Sequence, residues 1–290
     1  MTTQQPLFSV LIANYNNGCY LQETIDSVLG QTYKKWEIII VDDCSTDNSA
    51  KLYKKLMADS RIHVYFNDKN QGVGFTKRRC VELAQGDICG FVDPDDLLAE
   101  KDALEVMVQA HMQNPHASMI YSGYYSTDEN LVIKKTFSGS DLNGEPILGY
   151  KGSGPIRHFV SFKKKYYALT VGIDSFMRRC VDYDMYYKLE EVGDVIHLDR
   201  ILYLYRENPH SISLNDGLYK SRAWHTYACV EAMKRRGVTD ERLMLFPIEN
   251  VLRKEYKKGM EHIKQTRTYK VGEFFRKPLA LFESIRKKNK

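Results

Sequence analysis

Three carboxylates stand within four residues at Asp93-Pro94-Asp95-Asp96, directly after the apolar run Ile88–Val92. Like charges crowded at the end of a buried segment repel one another, and none can follow the apolar residues into a core. A divalent cation resolves the conflict. Hard cations take carboxylate oxygens, and Mg²⁺ commonly uses one or two protein carboxylates together with the phosphates of a substrate. The plainer alternative is a solvated turn whose aspartates cap a helix. Two further polar clusters follow apolar runs in the same way: Asn14-Tyr15-Asn16-Asn17 after residues 8–13, and Asp42-Asp43-Cys44-Ser45-Thr46-Asp47 after residues 37–41. A fourth acidic site, Asp182 with Asp184 two residues on, stands at the start of a helical pattern over 182–191, where a carboxylate is favoured by the helix N-terminus.

Those clusters need elements to position them. Short apolar segments at 8–13, 37–41, 62–66, 88–92 and 119–125 alternate with helical periodicity such as Leu21, Ile25, Val28 and Leu29. The alternation predicts an α/β fold: a mostly parallel central sheet flanked by helices. Ligands of such sheets bind beyond the carboxyl ends of the strands, so the three clusters converge on one crevice and strengthen the metal reading together. Beyond residue 128 the pattern changes. Residues 131–137 alternate as the return arm of a hairpin. Residues 138–155 carry five glycines and two prolines and predict a long loop over the crevice. Residues 195–205 are extended, and helices are expected over 217–236 and 239–264.

Composition sets limits. With 43% hydrophobic and 27% charged residues the chain is globular, and no run approaches the roughly 20 apolar residues of a membrane span. Residues 1–5 have neither the basic region nor the apolar core of a signal peptide. Six scattered cysteines without a Cys-x-x-Cys pattern suit reduced thiols in a cytoplasmic setting. The net charge of +5 hides an asymmetry: residues 251–290 hold 13 Lys/Arg against 4 Asp/Glu, whereas the remainder is slightly acidic. The acidic body argues against nucleic acid as a partner. The basic tail interleaves Tyr269, Phe274, Phe275, Leu279, Phe282 and Ile285, the pattern of a segment lying on an anionic membrane surface. Its alternative is a helix packed on the body or on a second subunit, as in a homodimer.

Taken as a set, Ser9-Val-Leu-Ile-Ala-Asn-Tyr-Asn-Asn, Ile25-Asp-Ser-Val-Leu-Gly-Gln-Thr-Tyr, Glu37-Ile-Ile-Ile-Val-Asp-Asp-Cys-Ser-Thr-Asp, Asn70-Gln-Gly-Val-Gly and Asp93-Pro-Asp-Asp closely resemble the family 2 glycosyltransferases, inverting enzymes of the GT-A fold. The resemblance runs from about residue 7 to 215. It implies a nucleotide-sugar-binding half over 1–126, an acceptor-binding and catalytic-base half over 127–215, and a helical, basic C-terminal extension over 216–290. It places Ala13, Tyr15, Asp42, Asp43, Gly72, Lys77, Asp93 and Asp95 at the donor, with Tyr15 on the base. Asp43 is matched to the acid that accepts the uracil imide hydrogen, and Asp42 is the alternative because strand alternation turns only one of the pair to the crevice. Asp95 and Asp96 are matched to the metal, Mg²⁺ or Mn²⁺.

Lys77 falls where many relatives have arginine, and a lysine lacks the bidentate fork. Arg78 and Arg79 are as consistent with a solvated helix face. Asp182 resembles the catalytic base, with Val181 where relatives carry Glu; Asp184 competes for the role, and a helix cap is the structural alternative for Asp182. Where relatives often have Arg-x-His, this chain has Arg206-Glu207-Asn208, with His210 nearby, which weakens a histidine ligand. His158 is a candidate for the acceptor side or for the core.

The implied activity is transfer of a sugar from a nucleotide diphosphate sugar, most simply a UDP-sugar, to a hydroxyl of a growing polysaccharide or lipid-linked glycan, at the inner face of the cell membrane. A sugar-nucleotide nucleotidyltransferase shares the architecture and the acidic site. It needs a glycine- and lysine-rich loop after the first strand, where this chain has Asn-Tyr-Asn-Asn-Gly. A non-catalytic donor-binding scaffold is the third reading, and the intact Asp93–Asp96 cluster and Asp182 disfavour it.

Overall fold

The computed structural model describes residues 5–148, 156–208 and 217–238, together with Glu261 and Gln265. The chain divides into two compact units, Met1–Ala232 and Met233–Lys290. Within the first, the order is β1 (Phe8–Asn14), α1 (Leu21–Leu29), β2 (Trp36–Asp42), α2 (Ser49–Leu56), β3 (Ile62–Phe66), α3 (Val73–Leu83), β4 (Ile88–Phe91), β5 (Leu97–Leu98), α4 (Ala103–Gln113), β6 (Ala117–Thr127), β7 (Ile133–Phe137), β8 (Val160–Lys163), α5 (Lys164–Tyr167), α6 (Val181–Glu190), β9 (Asp194–Arg206) and the start of α7 (Gly217–Arg235).

One sheet carries all of the strands, in the order β3-β2-β1-β4-β8-β6-β9-β5, with β7 paired to β6. Strands β1 to β4 are mutually parallel where they pair. Strands β1, β2 and β4 are buried on both faces, which explains why β1 and β2 are almost continuously apolar rather than alternating. The other half is mixed: β8 runs antiparallel to both β4 and β6, whereas β9 is parallel to β6. The expectation of a mostly parallel sheet therefore describes the first half, and the antiparallel β8 at the middle of the sheet is what changes the second. Residues 131–137 do form the return arm, β7.

Side-chain alternation along the strands separates two cores. Val10, Ile12, Ile38 and Ile40 face α1, α2 and α4; Leu11, Ile39 and Val41 face α3 and α6. Ala228, Cys229 and Ala232 of α7 are buried in the second core, so the first unit runs past the expected boundary at 215. The expected helix over 239–264, residues 149–155 of the glycine-rich loop, His210 and the amphipathic tail lie outside the described residues. Among the described residues no helix is long and apolar enough to cross a membrane.

Candidate active site

The parallel strands β1, β2 and β4 end side by side, so the turns that follow them meet. Gly18 N–H donates to Asp47 Oδ2 (2.8 Å), Asn16 N–H to Ser45 Oγ (2.9 Å), and Thr46 N–H to Asn16 Oδ1 (2.8 Å). These bonds join the first two polar clusters although 29–30 residues separate the partners. Asn16 and Cys44 take positive φ, a conformation few side chains adopt, and the cross-links hold them there. Tyr15 stands 46% exposed on this rim, its ring open for stacking.

Asp42 and Asp43 turn to opposite faces, as alternation requires. Asp42 Oδ2 accepts from Tyr53 Oη (2.6 Å) and Asn14 Nδ2 (3.2 Å), and Oδ1 from the Ser45 amide (2.7 Å). Asp43 Oδ1 accepts from Asn67 Nδ2 (2.7 Å) and the Gln71 amide (2.8 Å), and Oδ2 from the Gly72 amide (2.7 Å). A carboxylate has about four acceptor positions, so each aspartate keeps one for a ligand. Asp43 is the one that organises the Asn70–Gly74 turn. Gly72 there has φ +90°, a conformation that favours glycine, and the Arg178 guanidinium occupies the space a Cβ would take, 1.6 Å away.

The third cluster splits by burial. Asp96 is 1% exposed, and its Oδ1 accepts the Arg206 amide (2.8 Å) while Oδ2 is buried without a hydrogen-bond partner among the described residues. Burial, then the neighbouring Asp95 and Asp93, pushes its carboxyl well above the usual range. Asp95 is partly exposed, accepts from Asn208 Nδ2 (3.2 Å), and is likewise raised by burial and Asp93. Crowded carboxylates that resist ionisation, one with an orphaned oxygen, suit a hard divalent cation. No three His, Cys, Asp or Glu side chains among the described residues converge as a protein-only metal site. Asp95 is half-buried, whereas Asp96 is buried and tied to Arg206. Arg206 also reaches the Asp95 carbonyl (2.9 Å), the Glu129 carbonyl (2.9 Å) and Glu23, so it braces the cluster.

Across from this cluster, α6 brings Asp182 to a narrow cavity lined also by Lys77, Phe91, Asp93, His158, Tyr186 and Tyr203. Lys77 is buried, and its ammonium bonds Asp182 Oδ1 (2.8 Å) and Asp93 Oδ1 (3.1 Å). Lys77, the lysine expected at a diphosphate, here joins two carboxylates. Burial is the largest influence on the Asp182 carboxyl and raises it, but the Lys77 charge, the Lys77 hydrogen bond and the nearby His158 together hold the group below the usual carboxylate range. Asp184 has a different environment: 1% exposed, it accepts from Lys188 Nζ (2.6 Å) and the Asp174 amide (3.1 Å). The N-cap residue of α6 provides no side-chain cap.

His158 lies on the cavity wall, its ring stacked on Tyr203 and Tyr205 with centroids 5.1 and 6.2 Å apart. Burial lowers its pKa against the pull of Asp93 and Asp182, which favours a neutral imidazole. Arg78 and Arg79 point away: Arg78 pairs with Glu82 and the Ile173 carbonyl, and Arg79 with the Phe66 carbonyl. Tyr203 and Arg178 reach the site without any signal in local spacing, because their contacts bridge more than 100 residues.

The family model for Glycosyl transferase family 2 matches residues 9–169, more than half of the chain. Chondroitin synthase of Escherichia coli is 30% identical over 199 residues, covering 68% of this chain and 28% of its own length. Hyaluronan synthase of Pasteurella multocida is 29% identical over 238 residues, 81% of this chain and 24% of its own. The putative teichuronic acid biosynthesis glycosyltransferase TuaG of Bacillus subtilis is 39% identical over 127 residues, covering 43% of this chain and 49% of its own. The chain thus spans about a quarter of the two synthases and about half of TuaG. Among solved structures, S. aureus TarS 1-349 in complex with UDP-GlcNAc superposes with a TM-score of 0.61 at 16% identity, covering 84% of this chain and 80% of that one. The mannosyltransferase PcManGT from Pyrobaculum calidifontis, in complex with GDP-Man and Mn²⁺, gives 0.57 at 13% identity, covering 93% and 83%. Both likenesses establish the fold, GT-A. Sequence motifs, family match and architecture agree: the chain belongs to glycosyl transferase family 2.

Proposed function

We propose that the crevice transfers a sugar, with inversion, from a nucleotide diphosphate sugar to an acceptor hydroxyl. The observation that carries this reading is one cavity lined both by Asp93, of the Asp93–Asp96 cluster, and by Asp182, with Lys77 bonded to each. On the donor side, the Tyr15 ring stacks on the base and the remaining acceptor position of Asp43 or Asp42 takes the uracil imide hydrogen. Ala13 and Gly72 line the nucleoside, and Asp93 and Asp95 meet the ribose and phosphates. Asp95 is the ligand open to the crevice for Mg²⁺ or Mn²⁺, with Asp96 behind it. A bound cation would neutralise the diphosphate and make it a better leaving group.

Asp182 accepts the proton of the acceptor hydroxyl as that oxygen bonds to the anomeric carbon and the bond to the diphosphate breaks. One base on the face opposite the leaving group yields a β linkage from an α-linked donor. UDP as the nucleotide is supported by the UDP-GlcNAc complex of TarS. A polysaccharide or lipid-linked glycan as acceptor is supported by the synthases of chondroitin and hyaluronan and by TuaG. Such an acceptor would place the enzyme in the cytoplasm against the inner face of the membrane, with the basic tail as its contact.

Thermal unfolding with UDP, GDP, CDP or dTDP, each with and without Mn²⁺, tests the reading. A ligand at 100 times its Kd stabilises by about 2.7 kcal/mol. UDP with Mn²⁺ should stabilise the wild type and not Asp95→Ala. Stabilisation by another nucleotide instead would replace the donor, and no shift with any would contradict the proposal.

A further inference from the structure

Lys77 occupies an unusual place between the two sides of the cavity. Its ammonium is enclosed, it bonds one carboxylate of the donor-side cluster, Asp93 (3.1 Å), and it bonds the base candidate, Asp182 (2.8 Å). Among the described residues no other Lys or Arg forms an ion pair with Asp182. The helix that carries it, α3, is itself registered from both sides. At its start Asp43 holds the Gly72 amide (2.7 Å), the Gly74 amide donates to the Met177 carbonyl (3.0 Å), and Arg178 donates to the Gln71 carbonyl. A Cβ on Gly74 would lie 2.6 Å from the carbonyls of Asp174 and Met177, so the segment 174–178 lies directly on the first turn of α3. That segment leads into α6 and Asp182. Three contacts thus tie the donor turn to the approach of α6, and Lys77–Asp182 is the deepest.

The pairing also decides where the Asp182 carboxylate sits. A carboxylate in the first turn of a helix has a competing position on that helix's free amides, favoured by the helix dipole. The N-cap residue of α6 provides no side-chain cap, and the Asp182 carboxylate takes its own amide there. A buried, charge-assisted bond to Lys77 is stronger than an exposed cap and draws the carboxylate into the cavity. We infer that Lys77 is a positioning residue: it holds Asp182 in the cavity at a set distance from the donor carboxylates, and it acts on transfer through Asp182 rather than as a diphosphate ligand. The inference rests on Asp182 being the base.

Kinetics on Lys77 variants test it, with UDP release from a UDP-hexose or UDP-hexosamine that the wild type turns over and UDP affinity measured by calorimetry in Mn²⁺. Lys77→Met should lower kcat at least 30-fold with UDP affinity within twofold of wild type. Lys77→Arg, which keeps the charge, should recover most of the loss. In an Asp182→Asn background, Lys77→Met should lower the residual rate no further. A fall in UDP affinity that parallels the loss of rate, or full additivity in the double variant, would overturn the inference and restore Lys77 to the diphosphate. If Lys77→Met does not fold, Lys77→Gln, which retains a donor, should show the same split between kcat and affinity in smaller size. An active Asp182→Asn would instead refute the base assignment, and an inactive Asp182→Asn beside a fully active Lys77→Met would refute the positioning role alone.

Discussion

The donor side and the base side of the cavity are built on opposite principles. On the donor side, Asp42 and Asp43 are each held by three protein donors, the turns are cross-linked by backbone amides, and even Asp96 is locked to the Arg206 amide. That side is organised before any ligand arrives. On the base side, Asp182 depends on one ammonium contributed from the other half, while its neighbour Asp184 is embedded with Lys188. Two aspartates on one helix, two residues apart, therefore divide the work. One is accessible to a substrate and held by a cross-cavity contact; the other anchors the loop that supports it. Under the proposed reading, pocket exposure and partner, not motif position, distinguish Asp182 from Asp184.

Exchanging those two aspartates gives the largest effects. Asp182→Asn should lower turnover by about 10²–10⁴-fold, the usual contribution of a general base, and cost less stability than loss of Asp184, because Lys77 keeps Asp93 as a charged partner. Asp184→Ala should do the reverse. It leaves Lys188 buried with the Gly172 carbonyl as its remaining acceptor, and breaking such a pair costs about 3–5 kcal/mol in urea unfolding. If both variants lose activity with equal destabilisation, the contrast fails.

A smaller effect tests whether the donor turn is pre-built. Gly72→Ala forces a side chain into a left-handed conformation and against Arg178, costing about 1–3 kcal/mol in stability or UDP affinity. Unaltered UDP affinity and unaltered stability would show that the turn is not the support described. Tyr15→Ala should weaken UDP binding by about 0.5–1.5 kcal/mol with little change in stability, since the ring is exposed; calorimetry reads it directly.

The pH dependence sharpens the same comparison. Lys77 holds the Asp182 carboxyl below its ordinary value of 3.8, so the base stays ionised as pH falls through that value. The acid limb of kcat/KM that belongs to Asp182 should therefore lie below the ordinary carboxylate range, and in Lys77→Met it should move upward, because the main influence opposing burial is then gone. An acid limb that does not move would separate Lys77 from the ionisation of the base.

Much of the donor side was legible in the sequence because its signals are local. Apolar runs such as Glu37–Val41 end in polar clusters, and a parallel sheet must bring those ends together. Alternation alone also separated Asp42 from Asp43. The antiparallel β8 was not legible. Its four residues follow a glycine-rich stretch and carry no turn signature, and only pairing with β4 and β6 makes them a strand. Nor could spacing reveal that Lys77 lies between Asp93 and Asp182, since the Lys77–Asp182 bond spans 105 residues. The basic character of Lys77-Arg78-Arg79 suggested phosphate contact, whereas Lys77 bonds two carboxylates, Arg78 pairs with Glu82 and Arg79 bonds the Phe66 carbonyl. Asp182 and Asp184 look alike in the sequence; the buried Lys188, one turn beyond Asp184, was the available clue.

The central claim is a single base acting opposite the leaving group, and the anomeric configuration of the product tests it most directly. Proton NMR of the glycoside formed from an α-linked UDP-sugar should show the newly made bond in the β configuration from the first turnover. A product that retains the α configuration would contradict the account, because it would require a second displacement or attack from the leaving-group face, for which Asp182 as base has no role.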